Sequence, residues 1–141
     1  MIKDEFSVAN HIIICINKLA ELHPDEDYVV DYYKLNKLMY LAQIKAWREL
    51  GEGLFDDELI EEKSCGAVID GLEVYFHKNK FRPIETPIGI TLPVSDEEEQ
   101  LIQRICQIYG NEDKAVLANK TKTILANKTK TMSKKLSFSY T

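Results

Sequence analysis

DYYKLNKLMYLAQIKAWRELG, residues 31–51, is the stretch on which the reading of the fold turns. Leu35, Leu38, Met39, Ala42 and Ala46 recur at steps of three and four, which places them on one stripe of an α-helix. Asp31 offers a side-chain oxygen to the unpaired N–H groups of the first turn, and Gly51 stands where a left-handed residue ends a helix. This is the securest helix of the chain, and its apolar stripe requires other elements to cover it.

The flanking segments supply them. Ser7 can cap a helix whose apolar positions Val8, Ile12, Cys15, Ile16 and Leu19 share a stripe, and His23-Pro24-Asp25 ends it. After Gly51-Glu52-Gly53 the segment 54–62 is short and acidic. Gly66 separates it from Leu72-Glu73-Val74-Tyr75-Phe76, which reads as a third helix. Between Phe81 and Val94 three prolines and the run Ile88, Ile90, Thr91, Leu92 predict extended chain or a small hairpin. Ser95 with Glu98 forms a capping box, followed by the stripe Leu101, Ile102, Ile105, Ile108 and then Gly110. The expected fold class is mostly α: a compact helical domain with a small β-hairpin or extended appendage and a basic C-terminal tail. Leu38 and Ile105, central on their stripes, are expected in the core.

Composition bounds the possible functions. A chain of 141 residues, 45 % hydrophobic and 29 % charged, can bury one core. Its longest apolar stretch, Val8 to Ile16, is interrupted by Asn10 and His11, too short to span a bilayer. The N-terminal Met-Ile-Lys-Asp-Glu lacks a basic region followed by an apolar core, so a cytoplasmic protein is expected, with no membrane contact. Cys15, Cys65 and Cys106 match neither a disulfide framework nor zinc-ligand spacing. The net charge of −5 is uneven: seven of the 18 basic residues and none of the 23 acidic ones fall in 114–141, so residues 1–113 carry −12 and the remainder +7. The division is a helical body, 1–113, and a lysine-rich extension, 114–141. In the extension, Val116-Leu-Ala-Asn-Lys-Thr-Lys-Thr is repeated at once as Ile124-Leu-Ala-Asn-Lys-Thr-Lys-Thr. Fraying is expected from Met132 onward. An acidic body repels nucleic-acid phosphates and attracts a basic protein; the extension would do the reverse.

No catalytic, cofactor or metal site emerges. His11, His23 and His77 lie in separate segments, away from any paired ligand. Asp56, Asp57, Glu58, Glu61 and Glu62 lack the order of a calcium loop and read as a solvated face or a partner surface. Cys65, twelve residues before His77, could pair with it in space, but reads first as a small buried hydrophobe. No glycine group makes a phosphate-cradling loop. Tyr33, Tyr40 and Trp47 are seven apart and align along one side of the second helix, as core residues or as an exposed aromatic row.

The stretch DYYKLNKLMYLAQIKAW, then GEGLFDDELIEEKSCGAVIDGLEVYF, resembles the Panacea domain, the SocA-like antitoxin family also met among phage-associated proteins. Lys34, Leu35, Lys37, Leu38, Tyr40, Ala42 and Gln43 match the family's helix motif; Gly51, Leu54, Phe55, Ile60, Gly66, Val68, Val74 and Tyr75 match the segment C-terminal to that helix. The likeness spans roughly residues 8 to 123. Where that pattern has a tryptophan and the proline of its turn, Lys63 and Ala67 stand here. Its closing motif is represented by Leu117–Lys122, with lysine in place of histidine. The resemblance implies a non-catalytic antitoxin that neutralises a cognate toxin by direct binding and, in one branch, delivers it to a protease.

The expected partner is accordingly a basic toxin protein. Candidate contact residues are Tyr33, Tyr40, Trp47, Phe55, Asp56, Asp57, Glu61 and Glu62. The alternative is a phage or mobile-element regulator that touches nucleic acid through the extension, although the acidic body shows no basic recognition helix.

Overall fold

A computed structural model describes residues 4–124. Its long helices are α1 (Glu5–Leu22), α2 (Tyr32–Leu50) and α4 (Asp96–Tyr109); a short α3 (Glu73–Phe76) and an antiparallel hairpin, β1 (Ile60–Lys63) with β2 (Gly66–Ile69), lie between the second and last of these. Residues 114–124 form a further helix, α5. Mostly α with a small hairpin is therefore the architecture.

Helix ends obey the local chemistry, with one shift. Asp31 caps α2 by accepting Lys34 N–H at 2.8 Å, and Gly51 closes it in the left-handed region at φ 76°. Ser95 and Glu98 complete the capping box of α4. α1 starts earlier than expected: Asp4, not Ser7, is the cap, accepting Ser7 N–H at 3.1 Å and Phe6 N–H at 3.4 Å. Ser7 instead lies inside the first turn and donates its hydroxyl to Asp4 Oδ2 at 2.7 Å. The two carboxylate oxygens of Asp4 accept all three donors, the Ser7 hydroxyl among them.

α1, α2 and α4 pack against one another, and β2 lies on α2. Ile12, Ile13 and Ile16 meet Leu35, Leu38 and Met39, and Leu101, Ile102 and Ile105 close the layer in one continuous core. Leu38 and Ile105 are both buried as expected, whereas Ile108, the last residue of the α4 stripe, is exposed. α2 is the central helix. From Lys34 to Ile44 it is buried on every side, including the polar residues Lys34, Asn36, Lys37 and Gln43.

The hairpin sits at 60–69 rather than between Phe81 and Val94. Gly66, at φ 102°, lets the chain reverse through Ser64 and Cys65. A hairpin of two short strands is marginal alone, and α2 completes it: Ile69 N–H donates to Asn36 Oδ1 at 2.7 Å, and Lys37 Nζ donates to Ala67 O at 2.8 Å. The prolines of 81–94 instead leave an extended strap along α1. Asn10 holds Ile88 through both its amide atoms, Asn17 donates to Glu85 O at 2.9 Å, and Ser7 Oγ accepts Leu92 N–H at 2.8 Å. His11 Nε2 lies 3.0 Å from Leu92 O, a structural contact.

The core also runs past residue 113, where the sequence divides body from extension by charge. α5 buries Leu117 in the main core and Thr121 beside Gly66 of the hairpin, while its lysines are exposed. Lys120 is bonded to Glu112 at 2.8 Å and Lys114 to Asp31 at 3.3 Å. Most of the second repeat copy and the segment from Met132 lie outside the described residues.

Candidate functional site

The C-terminal half of α2 organises the acidic segment. Gln43, fully buried, accepts Leu54 N–H at 2.7 Å and Phe55 N–H at 3.2 Å on Oε1; its Nε2 donates to Phe55 O at 2.8 Å and to Asp57 Oδ1 at 2.7 Å. One amide thus satisfies three backbone groups of the loop after α2 and aims the Asp57 carboxylate. That same oxygen accepts Trp47 Nε1–H at 3.1 Å. Trp47 is 45 % exposed, so its indole is both presented to solvent and held in orientation.

Around the indole the chain is acidic. Asp56 Oδ1 accepts Glu58 N–H at 3.0 Å and caps a single 3-10 turn, Asp57–Leu59, that leads into β1. Glu61 and Glu62 on β1 are exposed, with Lys63 Nζ 3.5 Å from Glu61. Trp47 and Asp57 are joined directly and Asp56 starts the same turn, whereas Glu61 and Glu62, successive residues of β1, are exposed on opposite faces of the strand.

The remaining expected contacts are placed elsewhere. Tyr40 is wholly buried with Ile44 and Ala67 beneath the hairpin, where Ile60 and Ile124 pack on it. Among the described residues its hydroxyl has no hydrogen-bond partner, and its pKa is pushed up to about 12, first by burial and then by Asp57 and Glu62. Tyr40 supports the surface from below and cannot contact a partner directly. Phe55 is 3 % exposed and part of the core. Tyr33 is half-buried at the opposite end of α2, against Tyr32 and Phe81. The seven-residue spacing fails as a single exposed row because the hairpin covers the middle of α2 and leaves only its ends open.

Several of the described titratable groups lie in pairs. Among the described residues no group of three or more His, Cys, Asp or Glu side chains is placed to hold a metal. His77 lies 3.8 Å from Glu73 and His23 3.7 Å from Glu26, both on the surface. The neighbour of Cys65 is Lys37, whose pKa burial lowers, with Cys65 opposing that shift. Lys34, bonded to the carbonyl of Gly110, is likewise lowered by burial. Cys15 on α1 and Cys106 on α4, 91 positions apart in sequence, are joined by a thiol hydrogen bond. It lowers Cys15 and raises Cys106, the latter raised further by burial.

Sequence reasoning missed the buried polar residues Asn36, Lys37 and Gln43, which carry the geometry. The available signal was slight: they are the polar residues within the otherwise apolar stretch from Leu35 to Ile44. No described helix is long and apolar enough to cross a membrane. Comparison with family models, with curated proteins and with solved structures finds no match to this chain.

Proposed function

We propose that this chain is a binding protein of the antitoxin type, which neutralises a basic toxin through the surface formed by Trp47, Asp56, Asp57, Glu61 and Glu62. The observation that carries the reading is the half-exposed indole of Trp47, oriented by the Asp57 carboxylate. A large aromatic with its N–H already satisfied loses little freedom on binding, and tryptophans of this kind dominate interface energies. Exposed carboxylates act mainly on encounter rate and register. The likeness of residues 31–76 to the Panacea pattern supports the same reading.

The test is co-expression with the product of the adjacent reading frame, pull-down, and association kinetics of the purified pair at two ionic strengths. Trp47→Ala should raise the dissociation rate roughly thirtyfold, the equivalent of about 2 kcal/mol. Reversal of Asp56, Glu61 and Glu62 to lysine should slow association and flatten its salt dependence; Asp57 is left intact because it holds the indole. Following toxin turnover in cells with and without this chain separates neutralisation by occupancy from delivery to a protease. If no neighbouring protein binds and the chain instead retains DNA or RNA through residues 114–141, the regulator reading replaces this one.

A further inference from the structure

The other end of α2 holds a second feature. Asp31 Oδ1 is committed to the helix cap; Oδ2 faces outward, where Lys114 Nζ reaches it at 3.3 Å. That ammonium lies 5.8 Å from the centroid of the Tyr33 ring and 5.5 Å from that of Phe81. The two rings stand 6.2 Å apart, tilted by 54°. A cation within about 6 Å of an aromatic face is drawn to the ring quadrupole, so two rings and an oriented carboxylate form a three-sided receptor for one positive group. Phe81 is 82 % exposed and contributes little to the core.

The receptor opens on a cleft of about 410 Å³ whose wall includes Asp27, Val29, Asp31, Phe81, Asp113 and Lys114. We propose that this cleft receives a lysine or arginine side chain from a partner protein, and that Lys114 occupies it in cis until the partner displaces it. The charges support a cationic occupant. Asp27, Asp31, Glu112 and Asp113 line the cleft against Lys34, Arg82 and Lys114, and Lys34 is already bonded to the Gly110 carbonyl. Once Lys114 swings out, four carboxylates, of which Glu112 is paired with Lys120, face Lys34 and Arg82. Lys114 can leave readily, because its side chain is 46 % exposed and only rotamer changes are needed. An exposed ion pair of this kind holds weakly. Arginine should bind better than lysine, since a planar guanidinium can stack on one of the two tilted rings while its fork bonds the carboxylate. The cleft is at the opposite end of α2 from Trp47, and the inference goes beyond the acidic-surface reading because it holds or fails whatever the partner is.

The experiment is an NMR titration of the full chain with Nα-acetyl-arginine amide, using Nα-acetyl-norleucine amide as the uncharged control. The chain is compared with Lys114→Ala and with Lys114→Ala combined with Phe81→Ala; Phe81 is exposed, so the double variant should fold. Lys114→Ala should show saturable shifts at Asp31, Tyr33 and Phe81, with an affinity about fivefold above that of the parent, as expected when the parent cleft is open in roughly one molecule in five. Adding Phe81→Ala should abolish them, and the norleucine amide should give none. Absence of saturable shifts in Lys114→Ala, an equal response to the norleucine amide, or undiminished binding without Phe81 would each overturn the proposal.

Discussion

Replacing Gln43 by leucine tests the device that shapes the candidate surface. The side chains are similar in volume, so the change chiefly removes hydrogen bonds. Leu54 N–H, Phe55 N–H and Phe55 C=O would lose their partner in a fully buried setting. Each unsatisfied buried group costs about 1–3 kcal/mol, and three would cost roughly 3–9 kcal/mol if the loop stayed closed. Gly51 and Glu52 are exposed beside it, so water can enter as the loop loosens. We therefore expect a loss of about 3–5 kcal/mol, near the lower end of that range. Urea unfolding followed by far-UV circular dichroism and by the fluorescence of Trp47, the single tryptophan, gives the value. Gly53 supplies an independent check: a Cβ there would lie 2.3 Å from Gln43 Nε2, so Gly53→Ala should be strongly destabilising in the parent and nearly silent beside Gln43→Ala. Such non-additivity is the mark of direct contact. A loss under about 1 kcal/mol for Gln43→Leu, or equal costs for Gly53→Ala in both backgrounds, would refute the clamp.

Gln43→Glu should make stability depend on pH. Burial beside Phe55 O and Asp57 raises the folded pKa of the introduced carboxyl above its unfolded value of about 4.3, so its contribution is fully present below that pH and is lost as pH rises through the folded value; thermal melts from pH 4 to 8 read this, and a flat difference from the parent would contradict it. Tyr40→Phe removes a buried hydroxyl that has no partner among the described residues and should be neutral or stabilising by up to about 1 kcal/mol; a clear fall in Tm would mean that the hydroxyl is bonded in solution. Leu117→Ala should cost about 2–5 kcal/mol, because the side chain is completely buried, and an unchanged Tm would detach α5 from the core. Iodoacetamide should label Cys15 well before Cys106, since the hydrogen bond between them favours the Cys15 thiolate while Cys106 is raised and buried; peptide mass spectrometry gives the order, and faster labelling at Cys106 would reverse the argument.

The elements legible in the sequence were those whose determinants act within a few residues. Asp31 and Gly51 delimit α2, Ser95 and Glu98 start α4, and the stripes through Leu38 and Ile105 face the core; each signal operates over one helical turn. The same local logic misplaced the cap of α1 by three residues, because Asp4 offers an equally good cap one turn earlier and the helix extends back to it. At the candidate surface, the acidic residues and Trp47 were visible as types and spacings, but their exposure was not. Only the tertiary structure decided that Tyr40 and Phe55 are interior, that the hairpin forms at 60–69, and that 81–94, for which the sequence left extended chain and hairpin open, is bound as extended chain along α1. In each case a backbone group finds its partner in a distant side chain: Asn36 for Ile69 across 33 positions, Lys37 for Ala67 across 30, Asn10 for Ile88 across 78. A buried N–H or C=O must be satisfied by some partner, but nothing in its own neighbourhood of sequence says which one, so those choices are made when the helices pack.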